Sequence, residues 1–208
     1  IGDKATPSAE LRGGLAPHEK PETTHYSVVD SRGNAVAVTY TINGAFGAGV
    51  MAPNAGFLLN NEMDDFAADP GKPNLYGLIQ GENNAIQPGK RPLSSMTPTI
   101  VLKNGKPYLV TGSPGGSRII TAVLHTIVNV IDYGMNIQEA VDAPRFHQQW
   151  LPETTNIERF ALSPDTQRIL EGMGHQFANP QPANHMAAIL IGAPTLGGKP
   201  VGRYRYYG

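Results

Sequence analysis

Thr23-Thr24-His25-Tyr26-Ser27-Val28-Val29-Asp30 decides how this chain is read. The run follows a polar, proline-containing stretch and is rich in β-favouring residues, so it reads as a strand. If Thr23 opens that strand, Thr24 and Tyr26 share the opposite face. A threonine in mid-chain has a weakly nucleophilic hydroxyl and no attached base. At a new N-terminus it carries its own α-amino group, with an unperturbed pKa of roughly 7.7–8.0. That amine can take the hydroxyl proton directly or through a water, so one residue supplies both nucleophile and base. The same pair could also be an ordinary loop feeding a strand, and the downstream sequence has to decide.

Working outward, Ala35–Tyr40 is a second alternating run, and the turn cluster Asp30-Ser31-Arg32-Gly33-Asn34 makes a hairpin with Thr24–Val29. Gly44–Gly49 is a glycine-rich loop and Phe57–Asn60 a short strand candidate. Residues 69–91 have prolines and glycines but no period, and read as a long mobile loop of the kind that often forms a lid. Thr99–Leu102 and Tyr108–Thr111 flank Lys103-Asn104-Gly105-Lys106, whose Asn-Gly pair is a strong hairpin signal. Ser117–Tyr133 reads as a buried helix, apolar on more than one face and closed by Gly134. Asn136-Ile137-Gln138-Glu139 is a capping box for a short helix ending before Pro144. Ser163-Pro164 opens a further helix that Gly174 terminates, and Met186–Ile191 with Val201–Tyr206 forms a last strand pair. Strands around buried helices predict a layered α+β sandwich.

Several polar groups could carry chemistry. Thr41 and Asn43 follow the second strand. Glu62, Asp64 and Asp65 form an acidic cluster that lacks the alternating acids and glycine of a calcium loop. A pair of carboxylates suits an α-ammonium group. Ser94 and Ser95 lie between Pro92 and Pro98 on a stiffened segment, where adjacent hydroxyls can donate to a carboxylate. Together these would recognise an amino-acid head group. In Gly112-Ser113-Pro114-Gly115-Gly116-Ser117, two glycines ahead of a helix can present backbone N–H groups to an oxyanion. A nucleotide phosphate loop is the rival, but its Gly-Lys-Ser/Thr ending is missing. The six histidines show no metal-ligand spacing, and Arg145, Phe146, His147 and Trp150 read as packing and hydrogen-bonding residues.

Four segments, Thr23–Tyr40, Leu59–Phe66, Arg91–Pro98 and Thr111–Arg118, occur in the order and spacing of the γ-glutamyltranspeptidase (glutathione hydrolase) family, which the chain resembles from about Leu15 to Gly208. The resemblance implies the N-terminal nucleophile hydrolase fold, a four-layer αββα sandwich of two stacked antiparallel sheets between helical layers. It implies self-cleavage between Glu22 and Thr23. Residues 1–22 would then be the end of a large subunit and 23–208 the small, catalytic subunit. By resemblance Thr23 is the nucleophile, Thr41 hydrogen-bonds it, and Gly115 and Gly116 form the oxyanion hole. Asn43, Ser94 and Ser95 would hold the substrate α-carboxylate, Glu62 and Asp65 its ammonium, and Tyr76 would gate the pocket as a lid residue. Some members carry Gln in place of Glu62.

The implied reaction transfers a γ-glutamyl group from glutathione or a related compound to water or to an amino-acid or peptide amine, with no metal or organic cofactor. The implied partner is the large subunit, so residues 1–208 alone are expected to expose apolar surface and to be inactive. The family also implies a periplasmic or secreted location. Two rivals differ in class: an amidase of the cephalosporin or glutaryl acylase type, against which the Glu62/Asp65 pair argues, and a non-catalytic amino-acid-binding domain.

Composition narrows the field further. At 208 residues, 40% hydrophobic and 16% charged, the chain can bury one sizeable core. Its net charge of −1, with scattered Lys and Arg, suggests neither nucleic acid nor an anionic membrane as partner. The chain has no cysteine, which excludes disulfides and thiolate metal sites and leaves the compartment open. Its longest apolar run, near Ile119–Ile131, is too short and polar to span a bilayer.

Overall fold

The computed structural model describes residues 23–181 and 184–192, and the backbone of 195–196, 199–200 and 206–207. The expected tail at 1–22 and residues 201–205 of the expected last strand lie outside the described residues.

Strand β1 (Thr24–Val29) and strand β2 (Ala35–Tyr40) pair antiparallel, from Thr24↔Tyr40 to Val29↔Ala35. Asp30 closes the turn: its Oδ1 accepts the Arg32 and Asn34 amides at 2.8 and 2.9 Å. Those hydrogen bonds hold the Asp30 carboxyl below its usual range. The pleat alternates as expected, with Thr23 and His25 buried and Thr24, Tyr26 and Val28 exposed.

Strands β3 (Thr99–Lys103) and β4 (Lys106–Gly112) meet at Asn104 and Gly105, both left-handed with φ of 54° and 74°, as a tight hairpin turn requires. Further along the chain β5 (Phe146–His147) pairs with β6 (Asn156–Ile157). Strand β7 (Ala187–Ile191) is followed by the β8 (Thr195–Leu196) and β9 (Lys199–Pro200) pair and by β10 (Tyr206–Tyr207). One four-stranded antiparallel sheet runs β10-β7-β4-β3.

The hairpin lies on one face of this sheet. A Cβ on Gly112 would sit 2.2 Å from the His25 ring, so only glycine lets the two layers close there. Helix α1 (Ile119–Ile131) and helix α2 (Ile137–Asp142) cover the other face. The cross-strand pair Leu109 and Leu190 meets Val130, Ile137 and Ala140 in the core. Fully burying a Leu or Ile side chain contributes about 1.5–3 kcal/mol. Hairpin, sheet and helices give three stacked layers.

Differences from the sequence reading are local. Helix α1 starts at Ile119, because Gly115 and Gly116 (φ 136° and 58°) are followed by a 3-10 turn over Gly116–Arg118. It buries one face, through Ile119, Ala122, Val123, Thr126 and Val130, and exposes Ile120, Leu124 and Ile131. The expected strand at Phe57–Asn60 is reduced to a single bridge, Met51↔Leu58. Residues 69–91 are tied down by bridges Ala67↔Ala85 and Pro73↔Ile79 and by a 3-10 turn at Glu82–Asn84, in place of a free loop. The capping box at Asn136 and Glu139 is present, and helix α3 (Pro164–Gly172) has Ser163 as its cap.

Candidate active site

The strand register builds the first half of the site. Because Thr24 pairs with Tyr40, Thr23 and Thr41 extend the pairing by one step, and the Thr23 hydroxyl donates to Thr41 Oγ1 at 3.2 Å. Thr41 Oγ1 also accepts the Asn43 amide at 2.8 Å. Thr23 and Asn43 are buried, with 8% and 3% of their surface exposed. Asn43 takes a left-handed φ of 71°, a conformation asparagine tolerates better than most residues. Its side chain donates to Asn61 O at 3.2 Å, while Asn61 Oδ1 accepts Gly44 N at 2.9 Å.

His25 follows Thr23 on the same inward face. Its Nδ1 lies 2.6 Å from Thr39 Oγ1 and its Nε2 3.1 Å from Ser27 Oγ. Ser27 donates to Ala187 O at 3.3 Å, so its oxygen is left to accept from Nε2–H, and Thr39 donates to Nδ1. Burial lowers the His25 pKa, consistent with this neutral tautomer. The histidine joins hairpin to sheet.

The lid residue and the glycine pair meet above Asn43. Tyr76 donates its hydroxyl to Asn43 O at 2.8 Å. A Cβ on Gly116 would fall 2.9 Å from the Tyr76 ring, and one on Gly115 would fall 2.1 Å from the Asn184 side chain. Asn184 Nδ2 donates to Pro114 O at 2.7 Å, and Arg145 donates to Asn184 O at 3.3 Å. Among the described residues neither glycine N–H is spent on another hydrogen bond, so both remain available as oxyanion donors. Asn74 Oδ1 accepts the Tyr76 and Leu78 amides at 3.1 and 2.9 Å, and Asp64 Oδ2 accepts Leu75 N at 3.0 Å. Asp64 therefore acts as the structural member of the acidic cluster.

Glu62 and Asp65 stand at the two ends of a 3-10 turn, where the sequence asked for an acidic pair. Burial, then a hydrogen bond and charge repulsion from Asp65, push the Glu62 carboxyl up to about 7. Burial likewise raises Asp65. Both shifts favour the neutral acids, and a cation placed between them would favour the charged forms instead. Glu62 Oε1 is buried without a partner among the described residues.

Ser95 is half-buried and Ser94 exposed. Ser94 Oγ accepts Met96 N at 3.2 Å, and among the described residues neither serine hydroxyl bonds to Thr23 or to the acids. Asn84 links this segment to the acidic turn. Its Nδ2 donates to Asp65 O at 2.6 Å and also to Gln80 Oε1, and its Oδ1 accepts Leu93 N at 3.1 Å.

The residues sequence reasoning missed are thus asparagines: 61, 74, 84 and 184. Their signal was faint, an abundance of Asn in irregular segments that can bond backbone groups on either side. An open cleft of about 850 Å³ lies elsewhere, between α2, Arg145, Glu158 and the start of β7; Ser27, Ala187 and Asn184 line it, but none of the site residues expected from the sequence does.

Comparison with known proteins accords with this geometry. The family described as gamma-glutamyltranspeptidase matches residues 1–201. A glutathione hydrolase proenzyme of Pseudomonas sp. (strain A14) is 69% identical over 205 residues, 99% of this chain and 36% of that protein. The glutathione hydrolase proenzyme of Escherichia coli (strain K12) is 59% identical over 191 residues, 91% of this chain and 33% of that protein. A crystal structure of a point mutant of Helicobacter pylori gamma-glutamyltranspeptidase superposes with a TM-score of 0.78 at 60% identity, covering 81% of this chain and 90% of that one. The chain spans about a third of the length of these two proenzymes.

Proposed function

The chain belongs to the γ-glutamyltranspeptidase family and has its N-terminal nucleophile hydrolase fold, and from that premise we propose that it is the catalytic part of a γ-glutamyl acyltransferase and hydrolase. The observation that carries the reading is the buried Thr23–Thr41–Asn43 hydrogen-bond chain, which ends against Tyr76 and the Gly115–Gly116 loop.

Self-cleavage between Glu22 and Thr23 frees the Thr23 amine. That amine, acting directly or through a water, takes the hydroxyl proton as Oγ1 attacks the γ-carbonyl of glutathione or another γ-glutamyl compound. Thr41 orients the hydroxyl. The Gly115 and Gly116 N–H groups stabilise the tetrahedral oxyanion, where one such donor is typically worth about 2.7–4 kcal/mol. The leaving amine departs with the proton, and a Thr23 ester remains. Water or the amine of an amino acid or peptide then attacks the ester. Glu62 and Asp65 hold the substrate ammonium, and Ser94, Ser95 and Asn43 its carboxylate. Tyr76 closes over the acyl group, and a lid that excludes water favours transfer over hydrolysis.

The partner is a large subunit from the same precursor. Two apolar faces support this: Tyr26, Val28, Val36 and Tyr40 on the outer side of the hairpin, and Ile120, Leu124 and Ile131 on α1. Exposed apolar area of that extent marks a surface built to be covered. A helical layer over the hairpin would complete the αββα sandwich. A periplasmic or secreted location belongs to the same reading.

The test is release of anilide from a γ-glutamyl anilide, with and without a dipeptide acceptor, by the protein co-expressed with its upstream segment. Asp65→Ala should keep the cut before Thr23 and lose turnover. Equal activity on glutaryl amides, which lack the α-amino group, would favour the acylase reading instead.

A further inference from the structure

We propose that Asn84 is the positioning residue that sets the spacing between the ammonium-binding acids and the carboxylate-binding serines. The inference rests on the head-group assignment above and adds to it. The two halves of the head-group site sit on separate irregular segments, 62–65 and 91–98. Among the described residues, the hydrogen bond that ties 91–98 to another segment is Leu93 N to Asn84 Oδ1, at 3.1 Å, one residue before Ser94. The same amide donates through Nδ2 to Asp65 O at 2.6 Å and to Gln80 Oε1.

Asn84 is itself fixed from both sides. Its carbonyl accepts Ala67 N at 2.9 Å and its amide donates to Gly81 O at 3.1 Å. The bridge Ala67↔Ala85 continues this contact. Three segments therefore converge on one side chain, which uses both amide hydrogens and its oxygen. An amide is suited to the task, because it donates to one carbonyl and accepts from one N–H at a fixed separation. Neither a carboxylate nor a shorter side chain can do both. A ligand carrying ammonium and carboxylate on one carbon needs the two half-sites at a fixed separation. A ligand carrying only one of these groups does not.

The experiment uses the processed two-chain enzyme, with competitive inhibition by L-glutamate, which engages both halves, and by glutarate and 4-aminobutyrate, which each lack one α-substituent. Asn84→Ala is expected to weaken L-glutamate about tenfold, the scale of one or two lost hydrogen bonds, and the other two less than about twofold, with kcat unchanged. Equal weakening of all three inhibitors, or an unchanged Ki for L-glutamate, would overturn the proposal.

Asn84→Asp keeps an acceptor for Leu93 N but loses the donors to Asp65 O and Gln80. The added negative charge would weaken the anions L-glutamate and glutarate alike, so a loss for L-glutamate well beyond that for glutarate marks geometry, and an equal or smaller loss overturns the idea. Amide hydrogen exchange reads the tie without any turnover. Leu93 N–H should be protected in the wild type and in Asn84→Asp, and exchange at least about tenfold faster in Asn84→Ala. A Leu93 amide unprotected in the wild type would overturn the proposal. If the wild type neither cleaves γ-glutamyl anilide nor binds L-glutamate, the head-group assignment falls and Asn84's role in it falls too; the exchange result then shows separately whether the tie itself exists.

Discussion

The Thr23 end and the acidic end of the candidate site are held by different means. Thr23, Thr41 and Asn43 are placed by a six-residue strand pair, whose register leaves one arrangement once the hairpin turn is set. Glu62, Asp65, Ser94 and Ser95 lie on irregular backbone held by asparagine amides, with Asn61, Asn74 and Asn84 each linking distant residues. A sheet register resists small changes because slipping by one residue turns every side chain over. An amide-held loop can shift when a single hydrogen bond is lost. On the proposed reading the nucleophile sits on the rigid half and the ammonium-binding acids on the adjustable half.

The harshest way to break this contrast is at Thr23. Thr23→Ala should abolish both self-cleavage and turnover, with a loss on the order of 10⁴-fold or more, read by mass spectrometry and anilide release. Thr23→Ser should retain part of both. A mature chain beginning at Thr24 would remove Thr23 from its role.

Gly116→Ala tests whether the glycine loop belongs to the rigid half. The position needs a φ of 58°, and the new Cβ would press the Tyr76 ring at 2.9 Å. The expected result is a fall in kcat of about 10²–10³-fold, as for loss of an oxyanion donor. A fall confined to KM would reassign the loop to recognition.

On the adjustable half, pH sharpens the comparison. Glu62 titrates near 7 in the empty site, far above its usual 4.5. Between those values the folded chain binds more protons at Glu62 than the unfolded chain, so stability from this group falls as pH rises through that window and levels off above it. A substrate ammonium favours the ionised pair. KM should therefore fall about tenfold from pH 6 to pH 8, as one proton is displaced. Glu62→Gln should flatten that profile and raise Tm at pH 8 but not at pH 4. A KM that rises across this range would contradict the assignment.

The smallest effect is expected outside both halves. Asn136 accepts Glu139 N at 3.0 Å and Glu139 accepts Asn136 N at 3.0 Å, capping α2. Asn136→Ala should cost about 1 kcal/mol of stability, seen as a lower Tm, with kcat and KM unchanged. A change in KM there would mean that the halves are coupled through the core.

Much of this was legible before folding. The hairpin at Thr24–Val29 and Ala35–Tyr40, the Asn104-Gly105 turn and the caps at Asn136 and Ser163 follow from local chemistry, and each stands where the sequence places it. The short strand at Phe57–Asn60 and the exposed face of α1 were misjudged, since both depend on which neighbours supply pairing or cover. The asparagine ties were invisible for the same reason. Asn84 is one more polar loop residue until Asp65 and Leu93 arrive on either side of it.

By itself the sequence determined the residue types of the chemistry, the order of its motifs and the hairpin that presents Thr23, because turn geometry and strand alternation act over a few residues. Tertiary structure alone decided that Tyr76 lies against Asn43 and Gly116, that His25 wedges between two layers, and that Asn84 joins the 62–65 turn to the 91–98 segment. Those contacts join residues far apart in the chain. Their geometry depends on how the layers close, which no short window of sequence encodes.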